Sequence, residues 1–393
     1  MELDPYSYAF HEDPYPTYRW LRDESPLYHN ERLGFYALSR FRDVVEASLD
    51  HATYSSAHGT LVEDIDPRLL EASPMMIFMD PPRQSRLRKL VSRAFTPNAI
   101  TRLEPSIQML ASQLLDSIHS GGGCDFVRDF AAVLPMEVIS TLLGVPDADR
   151  RLVRGFTDDT LQRDPDTPVL PQRALDAHVA MHAYFADLVA DRRRRPGDDL
   201  VSGLIAAELP DESGAPTRLT DPEIIGFAGL LSGAGNETVT KLLGNAVVLL
   251  ARHPDVRRAL ARDPAGIPAA IEECLRYWPP SQYQGRKTTR DALWHGHVVP
   301  QGARVLLLTG AACRDEREFP EADRFDVSRP IAIQLALGHG VHKCLGAALA
   351  RLEGRVALEA LLARIPEWSI DEARCERVHM TSVMGFASVP MTW

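Results

Sequence analysis

The sequence predicts a mainly α-helical protein with small β-sheets, which is an α+β architecture. Three observations lead to this prediction. Apolar residues recur at helical spacing along most of the chain, strand-like runs are few and short, and no internal repeat or low-complexity linker divides the 393 residues. Because none of the 29 prolines marks a clear boundary, we expect residues 1–393 to form a single domain.

The composition excludes several classes of protein. Hydrophobic residues make up 45% and charged residues 25%, as in ordinary globular proteins, and the net charge of -11 argues against general nucleic-acid binding. The five cysteines include no Cys-x-x-Cys pair, so we expect a reducing, cytoplasmic location. We see no secretory signal and no run of about 18 apolar residues, which predicts a protein without a membrane span or N-terminal anchor.

Two helices are predicted from apolar spacing and from their ends. Over residues 100–118 apolar side chains repeat every three or four positions and stop before Gly121. Residues 174–195 form a second helix that ends in four arginines before Pro196. Basic residues in a last helical turn compensate the helix dipole, so we interpret these arginines as solvated rather than as a nucleic-acid patch.

The longest predicted helix begins at a capping box formed by Thr220 and Glu223 and ends at His253-Pro254. About 30 residues at 1.5 Å per residue span roughly 45 Å, enough to cross a domain. Glycines and polar residues interrupt its apolar pattern over 232–238. Because such residues weaken a helix, we expect room or chemistry at this interruption.

The strand predictions are short. Residues 35–38 form one strand, and residues 297–300 and 304–308 flank Pro300-Gln301-Gly302, which predicts a hairpin. Residues 379–393 are expected to form a further short pair.

The most informative segment surrounds Cys344. Glycines and histidines precede this cysteine over 337–343, and apolar residues at helical spacing follow it from Leu345 to Val356. Cys344 therefore lies at the end of a glycine-permitted loop and at the start of a buried helix. The free N–H groups and the positive dipole end of a helix favour a thiolate there.

Four interpretations of Cys344 compete: a buried structural cysteine, a nucleophile with a histidine base, a zinc site with His339 and His342, or the axial ligand of a haem iron. Only the last also explains the interrupted long helix, which would cover the other face of a flat macrocycle. The glycines would let the backbone pass close beneath that macrocycle.

Four motifs in order along the chain resemble those of the cytochrome P-450 monooxygenases. Residues 338–346 (Gly-His-Gly-Val-His-Lys-Cys-Leu-Gly) resemble the haem-binding loop, and residues 273–276 (Glu-Cys-Leu-Arg) resemble the ExxR pair. Residues 234–238 (Ala-Gly-Asn-Glu-Thr) are similar to the oxygen-activation motif, and residues 80–91 to the segment beside the haem propionates. The resemblance runs from about residue 13 to the C-terminus and implies a cytochrome P-450 fold with a single triangular haem domain.

The resemblance implies a haem b cofactor (heme b, iron protoporphyrin IX) and a role for each matched residue. Cys344 is the proximal iron ligand, whose sulfur should accept hydrogen bonds from the backbone N–H groups that follow it. The candidate partners of the propionates are Arg286, His342 and Arg88, because a dianionic edge needs cations. The other cofactor-binding candidates are Ala234, Gly338 and Gly346, with Ala234 facing the iron.

Two pairs of residues have further implied roles. Thr238 and Glu237 are the candidate catalytic residues: a hydroxyl beside the iron can hold a proton, and an adjacent carboxylate can replenish it through water. Glu273 and Arg276, three residues apart on a predicted helix, form a structural ion pair behind the haem together with Arg324.

The sequence departs from the family pattern at four positions. Leu337 stands where phenylalanine is usual in the haem loop, and Gln84 where a propionate-binding histidine is common. Gln334 stands where histidine is frequent, and Ala348 where proline is frequent.

The implied activity is insertion of one oxygen atom from O2 into an apolar or amphipathic organic substrate, a macrolide, polyketide, peptide or terpenoid intermediate of natural-product biosynthesis. We see no flavin, nicotinamide or iron–sulfur segment in the sequence, so we expect electrons to come from an acidic ferredoxin and its reductase. We expect the ferredoxin to dock on a basic patch, which we call the proximal patch. It consists of Arg86, Arg88, Lys89, Arg93, Lys343 and Arg351.

The substrate pocket is expected to be lined by five segments: residues 56–79, residues 157–182, the long helix from Phe227 to Glu237, residues 279–285 and the loop from Met380 to Phe386. Pro165, Pro168 and Pro171 predict a mobile lid in the second of them. Two alternatives to the monooxygenase remain open, a haem-thiolate binding or sensor protein without turnover and a peroxide-driven peroxygenase. The Glu237-Thr238 pair argues against both.

Overall fold

The computed structural model describes residues 1–63, 65–93, 96–164, 167, 169–210, 215–380 and 382–393. The helices, numbered along the chain, are α1 (Tyr8–Glu12), α2 (Tyr15–Glu24), α3 (Phe41–Leu49), α4 (Pro67–Ala72), α5 (Arg83–Ser92), α6 (Pro97–His119), α7 (Val133–Leu143), α8 (Arg150–Leu161), α9 (Gln172–Arg194), α10 (Leu200–Ala206), α11 (Asp221–Arg252), α12 (Pro254–Arg262), α13 (Ile267–Tyr277), α14 (Thr309–Ala312) and α15 (Ala347–Arg364). The predicted helices over 100–118 and 174–195 are thus confirmed as α6 and α9.

The strands are short and lie at the edges of the helical body. They are β1 (Leu27–Asn30), β2 (Phe35–Leu38), β3 (Tyr54–Ser55), β4 (Gly123–Asp125), β5 (Glu208–Pro210), β6 (Pro216–Arg218), β7 (Gln284–Thr288), β8 (Ala292–Trp294), β9 (His297–Val299), β10 (Arg304–Leu307), β11 (Ser369–Ile370), β12 (Glu376–Arg377), β13 (Phe386–Ser388) and β14 (Pro390–Thr392). The mainly α architecture with small sheets is therefore confirmed.

The largest sheet has five strands in the order β1-β2-β10-β7-β3. The buried strand β10 runs parallel to β2 and antiparallel to β7, where Val305 lies opposite Arg286. The predicted hairpin between β9 and β10 is wrong, because β9 pairs with β8 instead. A turn does follow Pro300, where the Ala303 N–H donates to the Pro300 carbonyl, and the chain then enters β10, whose four residues are all buried. Burial of the apolar residues of β10 in the five-stranded sheet stabilises the observed pairing with β2 and β7.

The two strands predicted within 379–393 exist but do not pair with each other. β13 pairs with β12, and β14 pairs with β11 and with β4. The C-terminal strand β14 therefore joins the end of the chain to residues Gly123–Asp125, which lie after α6.

The long helix α11 passes through the centre of the main hydrophobic core. Its N-terminus has the predicted capping box, in which Thr220 and Glu223 each accept a hydrogen bond from the other's backbone N–H. The expected interruption over 232–238 is not a break, since the helix is continuous from Asp221 to Arg252. Gly235 instead permits close packing, because a Cβ there would lie 2.7 Å from the Ile139 side chain on α7.

None of the helices in the described ranges is long and apolar enough to cross a membrane. Of the four arginines at the end of the predicted helix, Arg193, Arg194 and Arg195 are exposed, as expected, whereas the Arg192 side chain is only 18% exposed. Arg192 pairs with Asp199 at 2.5 Å, and Arg193 pairs with Asp221.

Candidate haem site

The loop before α15 holds Cys344 in a fixed position. Gly338 and Gly340 have φ angles of 70° and 69°, a left-handed conformation that glycine adopts without strain. A Cβ at Gly340 would collide with the carbonyl oxygen of Ser48 on α3. The Cys344 N–H donates to the Leu337 carbonyl over 2.7 Å, which closes the loop. Cys344 thus lies three residues before Ala347, the first residue of α15, as predicted.

The Cys344 thiol lines a cavity between this loop and α11. Desolvation raises the pKa of the thiol, whereas a hydrogen bond from the Gly346 N–H and the nearby charges of Arg88 and Arg351 oppose that rise. The expected donor to the sulfur is therefore present. These groups would stabilise the thiolate once a metal replaces the proton.

Three cationic or ionisable side chains meet at one edge of the cavity. Arg286 on β7 is 6% exposed, and burial lowers its pKa to about 10. Arg88 on α5 is partly buried and donates to the Lys343 carbonyl over 2.6 Å. Within the described part of the chain neither arginine has a carboxylate within 4.0 Å. His342 lies close to both, and burial together with Arg286 lowers its pKa to about 4.

A polar network that the sequence analysis missed supports this edge. The hydroxyl of Ser56 lies 3.1 Å from His342 Nε2, and Asp80 accepts the Ser56 backbone N–H at 2.9 Å. Asp80 is also the carboxylate whose charge acts on Arg286. Gln84, the position where histidine is common in the family, donates to the Val341 carbonyl over 2.8 Å. It therefore fixes the loop rather than contributing a charge.

The opposite wall of the cavity is formed by α11. Ala234 and Thr238 both line it, and the Thr238 hydroxyl donates to the Ala234 carbonyl over 2.7 Å. Glu237 is not among the described residues that line the cavity. It is 4% exposed, and its Oε2 lies 3.0 Å from Lys241 Nζ one helical turn away. Thr238 and Glu237 are thus adjacent in the chain, but Thr238 lines the cavity, whereas the Glu237 carboxylate lies beside Lys241.

The predicted ion pair on α13 is present and fully buried. The guanidinium of Arg276 donates to both carboxylate oxygens of Glu273 at 2.7 Å. The predicted third member is wrong: Arg324 contributes only its backbone carbonyl, and its side chain is 60% exposed and pairs with other acids. Arg329 takes its place, with Nε 3.6 Å from Glu273 Oε1, because its side chain is buried beside the pair.

The cavity lining agrees with part of the predicted pocket. Met76 and Ile77 line it, and so do three residues of the segment 279–285. From the predicted stretch of α11 the lining residues are Phe227, Leu230, Leu231, Ala234 and Gly235. No described residue of 157–182 or 380–386 lines it. Pro165 and Pro168 of the predicted lid, and residue Thr381, lie outside the described residues.

The residues present fit a haem b group. A flat macrocycle needs apolar walls, a soft axial ligand and cations for two propionates. The cavity offers Leu242, Leu275 and Leu337 as walls, the Cys344 thiol, and two arginines without a carboxylate partner from the described residues. The alternative zinc site has no support, since the described ranges contain no group of three or more His, Cys, Asp or Glu able to hold a metal ion.

In this helical fold one cysteine thiol lies opposite a long helix, and cations lie at one edge of the cavity between them. This arrangement is that of a haem-thiolate protein. Comparisons with known proteins agree. The family model described as "Cytochrome P450" matches residues 267–389. The chain is 45% identical over 395 residues to cytochrome P450 123 of Mycobacterium tuberculosis, covering 100% of this chain and 97% of that protein.

Two further relatives extend the comparison. The vitamin D(3) 25-hydroxylase of Pseudonocardia autotrophica is 39% identical over 401 residues, covering 99% of this chain and 96% of that protein. The solved structure of the bacillaene polyketide synthase cytochrome P450 PksS of Bacillus subtilis superposes with a TM-score of 0.90 at 30% identity, covering 100% of this chain and 99% of that one. The chain belongs to the cytochrome P450 family. It is a monooxygenase whose cofactor is haem b.

Proposed function

We propose that this P450 inserts one oxygen atom from O2 into an apolar or amphipathic natural-product intermediate, with electrons supplied by a ferredoxin and its reductase. The observation that carries the proposal is the position of the Thr238 hydroxyl. It lies on the cavity wall formed by α11, opposite the Cys344 loop, where bound oxygen would be reduced.

The haem, held by Cys344 with its propionates toward Arg286, His342 and Arg88, would supply oxygen activation through its thiolate-ligated iron. The protein supplies position and protons. The side chain of Ala234 is small and would leave space beside the macrocycle. Gly338 and Gly346 would let the loop backbone approach it closely.

Thr238 is the residue we assign to proton delivery at the cavity. Its hydroxyl donates to a carbonyl of its own helix, so it can also accept a hydrogen bond from a donor on the cavity side. Glu237 is the buried acid that would replenish the proton through water. Because the Glu237 carboxylate lies against Lys241 and outside the cavity lining, the link to Thr238 must be indirect.

The cavity walls and the relatives support the proposed substrate class. Phe227, Leu230, Leu231 and Met76 give the distal part of the cavity an apolar surface, and Thr309 and Ser281 are polar points at its edge. One relative is named a vitamin D(3) 25-hydroxylase, and one solved neighbour belongs to a polyketide synthase system. Both names favour a large, mostly apolar substrate. We further propose that residues 1–393 form one haem domain that works in the cytoplasm.

The proposed electron donor docks on the proximal patch. Several of its cations have partners: Arg86 pairs with Glu223, and Arg351 pairs with Glu272. Lys89 and Lys343 are exposed, and neither has an ion pair with another described residue. These two lysines are the charges most available to an acidic ferredoxin, which would be attracted over a distance of about a Debye length.

In a reconstituted system with a ferredoxin, its reductase and NADPH, we expect steady NADPH consumption linked to an oxygenated product. Lys343→Glu and Lys89→Glu should each lower kcat/KM for the ferredoxin by about tenfold at low ionic strength, and by less as salt screens the attraction. The measurement is the rate of product formation against ferredoxin concentration at two salt concentrations.

Arg151→Glu is the matched control, since Arg151 is exposed on α8, outside the proximal patch. Equal effects of all three substitutions would contradict the docking site. Product formed from hydrogen peroxide alone, undiminished in Thr238→Ala, would favour the peroxygenase. NADPH consumption without any product would favour a binding or sensor protein.

A further inference from the structure

The hydrogen bond between Ser56 and His342 at the cavity edge can run in either direction. The Ser56 side chain is 0% exposed, and its hydroxyl lies 3.1 Å from His342 Nε2. Among the described residues this nitrogen is the only hydrogen-bond partner of the hydroxyl. A hydroxyl and an imidazole nitrogen can each donate or accept, so the surroundings of the two side chains decide which of them is the donor.

Asp80 does not compete for the proton of the Ser56 hydroxyl. Its Oδ1 accepts the Ser56 backbone N–H at 2.9 Å, and its Oδ2 accepts the hydroxyl of Ser55. If the Ser56 hydroxyl accepted a hydrogen bond from His342, its own proton would be buried without an acceptor from the described residues. Because an unpaired buried polar group costs free energy, the surroundings favour the hydroxyl as the donor and Nε2 as the acceptor.

The other ring nitrogen of His342 reaches open space. Nδ1 makes no hydrogen bond with the described residues, and it is not among their buried polar atoms that lack a partner. His342 lines the cavity together with Arg286 and Arg88, so we take this open space to be the cavity edge proposed for the propionates. An anion at that edge binds an N–H donor, whereas a nitrogen with only a lone pair would repel it.

The five-stranded sheet holds Ser56 beside this edge. Strand β3 pairs with β7, and Ser55 lies opposite Lys287 at the end of that pairing. One residue farther along each chain come Ser56 and Arg286, so the sheet brings both of them to the same edge of the cavity. Asp80, from the segment before α5, holds the backbone of Ser56 in place.

We propose that Ser56 is a positioning residue for the haem: its hydroxyl donates to His342 Nε2 and keeps the imidazole proton on Nδ1, where it can bind a propionate. In a neutral imidazole the partner of one nitrogen sets the role of the other. A cationic imidazole would donate from both nitrogens and leave the Ser56 proton unpaired. This inference rests on the haem placement in the proposed function and adds a residue behind it.

The first test locates the His342 proton in the wild type. Nitrogen NMR of histidine-labelled holoprotein distinguishes a protonated from an unprotonated ring nitrogen, and the ferrous, carbon monoxide-bound form is diamagnetic. The His342 signals are those that disappear in His342→Gln. They should show a proton on Nδ1 and none on Nε2. A proton on Nε2 in the wild type would overturn the proposal without reference to any Ser56 variant.

The second test uses the propionate bending band in the resonance Raman spectrum of the ferric holoprotein, whose frequency falls when a propionate loses a hydrogen bond. Ser56→Ala should lower this frequency and speed haem transfer to apomyoglobin by about tenfold, as expected for one hydrogen bond to a charged group. Ser56→Thr keeps the hydroxyl and should retain both wild-type values. Ser55→Ala is the matched control, because the Ser55 hydroxyl binds Asp80 and makes no hydrogen bond with His342.

The variants separate the role of Ser56 from the placement of the haem. Equal band shifts in Ser56→Ala and Ser55→Ala would overturn the proposal, since both serines would then act only by supporting Asp80. A band that shifts in His342→Gln but not in Ser56→Ala would overturn it and leave the haem placement intact. If His342→Gln leaves the band unchanged, His342 binds no propionate, and the placement and this inference both fail.

Discussion

Thr238→Ala should lower the yield of oxygenated product per NADPH by at least ~100-fold, the usual lower bound for removing a positioned proton-transfer group. The substitution removes the hydroxyl that faces the cavity from α11. NADPH consumption should continue, because the proposed ferredoxin site is the proximal patch, which does not include Thr238. Thr238→Ser keeps the hydroxyl and should restore most of the yield. The measurement is product formed against NADPH consumed.

Thr240→Ala is the matched control for this prediction. The Thr240 hydroxyl donates to the Asn236 carbonyl over 3.0 Å, the same one-turn contact that Thr238 makes with Ala234. Thr240 is 1% exposed and is not among the described residues that line the cavity. If Thr238 only satisfied its own helix, the two alanine variants would behave alike, and that outcome would refute a catalytic hydroxyl.

Glu273→Gln should reduce the free energy of unfolding by about 3–5 kcal/mol, because it leaves the buried Arg276 guanidinium without its anion. Arg276 is 0% exposed, and its contacts to three backbone carbonyls hold the segment from Cys313 to Arg324 behind the haem site. Since a folded domain is stable by only ~5–15 kcal/mol, much of the variant protein should be unfolded or without haem. Denaturant unfolding and the haem content of purified protein measure the effect.

The arginines beside this ion pair provide graded controls. Arg324→Gln should cost less than ~1 kcal/mol, because the Arg324 side chain is exposed and the contact to Arg276 comes from its backbone. Arg329→Gln should cost more than Arg324→Gln, since Arg329 is buried 3.6 Å from Glu273. A larger loss of unfolding free energy in Arg324→Gln than in Arg329→Gln would mean that Arg324, the residue expected from the sequence, is the third member of the Glu273–Arg276 ion-pair group.

Local signals in the sequence predicted the parts of the fold that depend on neighbouring residues. The capping box at Thr220 and the His253-Pro254 stop define both ends of α11, because capping involves atoms only a few residues apart. The partner of β9 was predicted wrongly. Strand pairing joins segments that are distant in the chain. The turn after Pro300 lies between β9 and β10. It is compatible with pairing between these two strands and also with the observed pairing of β9 with β8 and of β10 with β7.

In the candidate site too, local motifs predicted some residues, whereas the contacts of others depend on packing between distant segments. The four motifs identified Cys344, Thr238 and the Glu273–Arg276 pair, and the structure brings the first two to opposite walls of one cavity. The motif could not show where Glu237 points, since consecutive helical residues face directions about 100° apart. One signal was present and missed: Glu237 and Lys241 are an i,i+4 pair in the favourable order.

The contact of Ser56 with His342 could not have been found from the sequence, because the two residues lie 286 positions apart in the chain. Such contacts arise when helices and loops pack, so they require coordinates.

The absorption spectrum of the reduced, carbon monoxide-bound protein tests the central claim, a haem-thiolate with Cys344 as ligand, most directly. The wild type should show a strongly red-shifted Soret band, which Cys344→Ala should lose. Cys375→Ala, a change at another free cysteine, should keep it. A short-wavelength band in the native wild-type protein, or a red-shifted band that persists in Cys344→Ala, would contradict the assignment of the iron ligand and the oxygenation mechanism built on it.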